Sequence, residues 1–146
     1  MKISAYTEKS SIFQMYRLNN TVQATFASEL KKYEINFIQS LILLTIYFEG
    51  KNKVTPMSIV RELGLSKSSV SQSLSELEGR GKIKRRMDEK DARSLCLVLT
   101  VDGKSDASKI IGIYENLEKK LEKMGKGKLD VFTNTLKNFA EFFEEN

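Results

Sequence analysis

Apolar residues recur along the chain at steps of three and four, with one stretch at a step of two, a pattern that predicts a helical protein carrying a single β-hairpin. Over residues 6–31, Ile12, Met15, Tyr16, Asn19, Val22, Phe26 and Leu30 stand on one face of a long helix. Lys31 and Lys32 suit its C-terminal end, where positive charge meets the helix dipole favourably. A second helix, over 35–49, carries Ile35, Ile38, Leu41, Ile42, Leu44, Thr45 and Phe48 in an arc wide enough for burial on more than one side. Gly50-Lys51-Asn52-Lys53 forms the turn that follows.

Thr55 and Pro56 mark the next helix start, since threonine can cap and proline at the first helical position gives up only an N–H that would be orphaned anyway. This helix is short, with Ile59, Val60 and Leu63 inward, and Gly64 supplies a left-handed stop. Ser66 is a good N-cap for a further helix, so two short helices joined through Gly64-Leu65-Ser66 make a helix-turn-helix. The serine-rich run over 67–80 would pass for a linker by composition. Its spacing says helix: Val70, Leu74 and Leu77 form one docking stripe, leaving Ser68, Ser69, Ser71, Gln72, Ser75 and Glu76 outside.

After Gly81 the period becomes two. Residues 82–87 and 95–100 predict a two-stranded hairpin with its turn over Asp88-Glu89-Lys90-Asp91-Ala92. The helical period returns from Gly103, with Ile110, Ile111, Tyr114, Leu117, Leu121 and Met124, then a break over Gly125–Gly127. A last helix carries Leu129, Phe132, Leu136, Phe139, Ala140 and Phe143.

Charge changes the picture once it is partitioned. The net charge of +5 on 146 residues is mild. Residues 51–104 hold twelve basic groups against seven acidic ones, and the rest of the chain holds twelve of each. All of the excess therefore lies in the helix-turn-helix and hairpin, where a polyanionic duplex would be met. Histidine is absent, which removes imidazole acid/base chemistry, His-dependent triads and metal sites that need a nitrogen ligand. With no Gly-rich phosphate loop and no metal-ligand cluster either, no constellation suggests an enzyme, a cofactor or a metal. A single cysteine, Cys96, leaves no internal disulfide and points to a reducing compartment. The N-terminus has no apolar h-region, and the most apolar stretch, Phe37 to Phe48, falls short of the ~20 residues of a membrane span, so the expectation is a soluble, cytoplasmic protein.

About fifty contiguous residues carry a family resemblance. Pro56-Met57-Ser58-Ile59-Val60-Arg61-Glu62-Leu63-Gly64-Leu65-Ser66, Ser69 through Glu78, Gly81-Lys82-Ile83-Lys84-Arg85, Asp88, Asp91-Ala92-Arg93 and Leu99-Thr100-Val101-Asp102-Gly103 together resemble the MarR family of winged helix-turn-helix transcription regulators. The resemblance implies a mainly α chain with a small β-hairpin wing (α+β). It would have an N-terminal dimerisation helix over 1–33, a DNA-binding lobe over 34–102 and C-terminal dimerisation helices over 103–146. It implies a homodimer on a pseudo-palindromic operator in double-stranded DNA, with recognition helices about 34 Å apart. Ser66, Ser68, Ser69, Ser71 and Gln72 then fall on the DNA-facing part of the recognition helix, where Gln72 can pair two-pronged with adenine. Lys84, Arg85, Arg86 and Lys90 would contact phosphates. Arg93 would enter the minor groove, its guanidinium held by Asp91. Family members often have arginine where this chain has Gln72 and an acidic residue where it has Ser75, so no operator sequence carries over.

The family's usual mode is a repressor answering a small-molecule effector that enters between dimer core and lobe. Tyr16, Phe26, Phe37, Tyr47 and Tyr114 are aromatic candidates for lining such a site, although helical spacing makes them core residues first. Cys96, inside a wing strand, reads as a small hydrophobe rather than a redox sensor. The absence of histidine argues against the zinc-sensing branch. The competing class is a winged-helix protein-interaction module without sequence-specific DNA binding.

Overall fold

In the computed structural model of the chain, which describes residues 3–50, 53–88 and 95–145, the first predicted helix is two helices parted at Ser10. They are α1 (Ile3–Lys9) and α2 (Ser11–Leu30). Ser10 is extended (φ −82°, ψ 116°) and its side chain accepts from the Phe13 N–H at 3.5 Å, the local bond by which serine competes with a continuous helix. Tyr6 meets Phe13 edge-on across the break, ring centroids 5.8 Å apart.

Of the α2 stripe, Phe26 and Leu30 are buried, whereas Ile12 and Tyr16 are exposed at 57% and 63%. A 3₁₀ turn (Lys31–Tyr33) and Glu34, left-handed at φ 57°, redirect the chain into α3 (Phe37–Glu49). Asn36 and Gln39 close a reciprocal capping box at its start. Ile42, Leu43, Leu44 and Ile46 are buried together with Gln39 and Ser40, so α3 is covered on several sides. Phe48, predicted to face inward, is 69% exposed at the helix end.

Helices α4 (Pro56–Leu63) and α5 (Lys67–Gly79) follow. Ile59, Val70, Leu74 and Leu77 form a core with Ile42, Leu43, Ile83 and Ile110. Strands β1 (Ile83–Met87) and β2 (Leu95–Leu99) pair antiparallel, with Ile83 opposite Leu99, Arg85 opposite Leu97 and Met87 opposite Leu95. The predicted hairpin turn lies outside the described residues except for Asp88, and so do Lys51 and Asn52 of the earlier turn. The far edge of β2 is also used: its Leu97 N–H donates to the Val54 carbonyl at 2.8 Å, docking the segment that leads into α4.

The chain packs as two compact units, Met1–Ile110 and Ile111–Asn146, divided within α6 (Val101–Glu122). The entry to α6 explains the Leu-Thr-x-x-Gly step. Thr100 Oγ1 donates to the Gly81 carbonyl at 2.6 Å and accepts from the Gly103 N–H at 3.0 Å, while the Thr100 N–H donates to the Lys82 carbonyl at 3.0 Å. Gly103 is buried with its α-carbon against that same Lys82 carbonyl, an approach that leaves no room for a Cβ. In the second unit Gly125 (φ 109°) ends the preceding turn and α7 (Lys126–Glu145) begins at once, so Gly127 is helical rather than part of the break.

Candidate nucleic-acid interface

Each predicted signal of the helix-turn-helix has a geometric counterpart. Thr55 and Ser58 form a capping box, with Ser58 N–H to Thr55 Oγ1 at 3.1 Å and Thr55 N–H to Ser58 Oγ at 2.9 Å, and Pro56 opens α4. Gly64 is left-handed at φ 61°, ψ 28°. Ser66 is extended and its Oγ accepts from the Ser69 N–H at 3.1 Å, starting α5. Helix α5 buries Val70, Ser73, Leu74 and Leu77, and presents Ser68, Ser71, Gln72 and Ser75 outward.

Two of the residues expected to lie outside do not. Ser69 and Glu76 are half-buried, because at the edges of the docking stripe they are covered by what the stripe packs against. The Ser66 hydroxyl is engaged as well: beyond its cap it bonds Ser68 Oγ at 3.0 Å and donates to Ser69 Oγ at 2.9 Å. Ser66→Ala is therefore expected to lower stability by about 1 kcal/mol, with Ser66→Asn close to wild type, both read by thermal unfolding.

A polar relay runs from the outer face of α5 into the lobe. Gln72 Nε2 donates to Glu76 Oε1 at 3.1 Å, and Gln39 Nε2, on buried α3, donates to Glu76 Oε2 at 2.6 Å. Gln39 Oε1 accepts from the Asn36 N–H at 3.0 Å and from Arg80 Nη1 at 3.2 Å, and Arg80 also donates to the Glu34 carbonyl. Neither Gln39, Glu76 nor Arg80 was marked by sequence as part of the site. The Asn-x-x-Gln spacing before α3 betrays only the capping half of Gln39's role.

On the wing, alternation separates the three basic residues of β1. Lys84 and Arg86 share one face, whereas Arg85 shares the other with Ile83 and pairs with Glu78 of α5 at 3.1 Å. Being about a third exposed on both sides, that pair orients more than it stabilises. Lys82 is turned inward onto Asp106 of α6 at 2.5 Å, both side chains largely buried, and Lys53 reaches Asp88 at 3.2 Å. Lys82 anchors the base of the wing, just before β1, and Lys53 the far end of that strand. Lys90, Asp91 and Arg93 lie outside the described residues. Cys96 is half-buried opposite Arg86, its thiol donating to the Arg86 carbonyl at 3.4 Å.

A cleft of about 510 Å³ opens in the first unit, lined by Gln23, Ala24, Ala27, Lys31, Ile35 and Phe37 among others. Of the five aromatic candidates only Phe37 lines it, with the Phe26 ring tilted against it at a centroid distance of 4.9 Å. Tyr16 is exposed on α2, and Tyr47 packs edge-on against Phe48 at 5.7 Å.

Known proteins share this arrangement. Residues 33–94 match the model of the MarR family. The HTH-type transcriptional regulator SarZ of Staphylococcus aureus (strain USA300) is 24% identical over 137 residues, covering 94% of this chain and 90% of that protein. SarZ of Staphylococcus haemolyticus is 24% identical over 99 residues, 68% of this chain and 66% of that protein. A crystal structure of S. aureus MepR in a DNA complex superposes with a TM-score of 0.82 at 19% identity, covering 92% of this chain and 98% of that one. Streptococcus pneumoniae FabT in complex with DNA gives 0.73 at 24% identity, over 90% and 94%. Residues 33–94, which hold α3, the capped helix-turn-helix and β1, are thus similar to the MarR family, and the fold of the chain is shared with MepR and FabT.

Proposed function

We propose that the protein is a homodimeric, sequence-specific DNA-binding repressor without enzymatic activity, its two lobes seated on half-sites of a pseudo-palindromic operator. The observation that carries this reading is the outward face of α5, made of Ser68, Ser71, Gln72 and Ser75, in the segment that holds the whole positive excess of the chain. Small hydroxyl and amide side chains permit close approach to base edges, and the cations supply the phosphate term. Arg93 at the wing tip is assigned to the minor groove, and Lys84, Arg86 and Lys90 to phosphates. The MepR and FabT structures, both DNA complexes, support DNA as the partner.

Dimerisation is assigned to residues 1–33 and 103–146, flanking the DNA-binding lobe of 34–102. Within the second unit, Phe132, Leu136, Phe139 and Phe143 stand at i, i+4, i+7 and i+11 on α7 and are 38–58% exposed. A stripe of that size on a single chain calls for a cover, and a second copy supplies an identical one by two-fold symmetry. The cleft beside Phe37 is within the size range that takes a small-molecule effector, which would act through unequal affinity for the binding and non-binding states.

Sedimentation equilibrium combined with footprinting on genomic fragments tests this reading. The expected result is a particle of twice 16.7 kDa protecting two half-sites about one helical turn apart. Phe132→Asp with Phe139→Asp is expected to give single chains that bind duplex about a hundredfold more weakly, since each lobe then binds alone. A wild-type monomer with no protected site would overturn it.

A further inference from the structure

We propose that Gln39 and Glu76 are specificity-determining positioning residues: they hold the Gln72 carboxamide with its NH₂ group toward the protein, making the base pair that faces Gln72 an adenine-preferring position in each half-site. The inference rests on the DNA-binding reading and deepens it, because neither residue is itself assigned to touch DNA.

The orientation follows from donor and acceptor chemistry. Carboxylate oxygens accept only, so both glutamines must turn their NH₂ groups toward Glu76, Gln72 to Oε1 at 3.1 Å and Gln39 to Oε2 at 2.6 Å. Gln39 has no freedom to turn the other way. Its oxygen already accepts from two groups that only donate, the Asn36 N–H at 3.0 Å and the Arg80 guanidinium at 3.2 Å, and the residue is 1% exposed. Arg80 is held in turn by the Glu34 carbonyl, which the left-handed Glu34 presents at the turn before α3. Glu76 is thus clamped from the buried side and transmits a fixed direction to Gln72 on the exposed side.

One amide hydrogen of Gln72 goes to Glu76. The other, with Oε1, makes an acceptor–donor edge that matches N6 and N7 of adenine. An unrestrained glutamine can rotate its carboxamide by half a turn and lead with NH₂, which donates equally well to O6 or N7 of guanine. The carboxylate of Glu76 makes the two ends unequal, so the choice between adenine and guanine is set from beneath the recognition helix.

The test is a selection from a pool of random-sequence duplexes by the full chain and its Gln72→Ala, Glu76→Ala and Gln39→Met variants, each checked for folding by thermal unfolding. Gln72→Ala marks the position that Gln72 reads. Wild type is expected to prefer adenine over guanine there by about tenfold or more. Glu76→Ala is expected to reduce that ratio to about threefold or less, with the loss confined to that base pair, and Gln39→Met to do the same. Should Gln39→Met fail to fold, Glu76→Ala alone decides. If Glu76→Ala keeps the wild-type preference, or weakens binding equally at every position as a purely structural residue would, the inference is wrong while the DNA-binding reading stands. If wild type selects no sequence and its duplex affinity ignores salt, both fall.

Discussion

Affinity for duplex DNA is expected to fall by about 10³ to 10⁵ as salt rises from about 50 to 200 mM, the loss that follows when roughly six to ten phosphate contacts release their counterions. The structure narrows which cations can contribute. Lys82 is turned onto Asp106 at the wing base, Lys53 is paired with Asp88 at the far end of β1, and Arg80 is spent on Gln39 and Glu34. Lys67 at the start of α5 and Lys84 on the wing are exposed, and Arg86 shares the face of Lys84. With Lys90, also assigned to phosphate, these residues doubled in a dimer would supply about eight contacts, within that range. The measurement is a fluorescence-anisotropy titration across the salt series, plotted as log affinity against log salt. A slope near zero would refute phosphate-driven binding and favour the protein-interaction module. Lys84→Ala should shorten the slope by about one unit per chain, whereas the inward-facing Lys82 is not a source of it.

Gly103→Ala is expected to destabilise the protein by about 3 kcal/mol or more, reversing the sign usual for glycine replaced by alanine inside a helix. A Cβ at this position would clash with the Lys82 carbonyl oxygen and lie 2.9 Å from its carbon. That carbonyl cannot step aside cheaply. It accepts from the Thr100 N–H at 3.0 Å and from Thr100 Oγ1 at 3.2 Å, and the Lys82 side chain is tied to Asp106 at 2.5 Å. The strain must then spread to the junction of β1, β2 and α6. Thermal unfolding should show a midpoint lower by roughly 10 °C for a chain of this length. A midpoint equal to wild type would mean that α6 can shift away from the wing base, contrary to the packing seen.

The split of the first helix at Ser10 shows where periodicity misleads. The apolar positions continue through the break at helical spacing, so nothing in the hydrophobic pattern records it, and the interruption comes from a serine hydroxyl reaching the Phe13 N–H. Ser66, read from sequence both as a cap and as a DNA-facing residue, is exposed, and its hydroxyl caps α5 and bonds two neighbouring serines, contacts that the sequence reading of the cap alone did not include. Arg85 was grouped with Lys84 and Arg86 by adjacency, and the pleat places it on the opposite face, against Glu78.

What sequence alone determined is the part governed by short-range rules. The Thr55-Pro56 start, the Gly64 stop, the Ser66 cap and the Val70-Leu74-Leu77 stripe each involve residues within a turn or two, where steric and hydrogen-bonding preferences act without knowledge of the rest of the fold. The confinement of the charge excess to residues 51–104 is likewise a property of the chain itself. Only the tertiary structure decided which polar groups those elements spend on one another. Gln39 and Glu76 are 37 positions apart, Gln39 and Arg80 are 41 apart, and the room for Gly103 is set by a carbonyl across the wing base. Such pairings come from burial, which forces every enclosed donor and acceptor to find a partner wherever the packing brings one, and no local spacing encodes that choice.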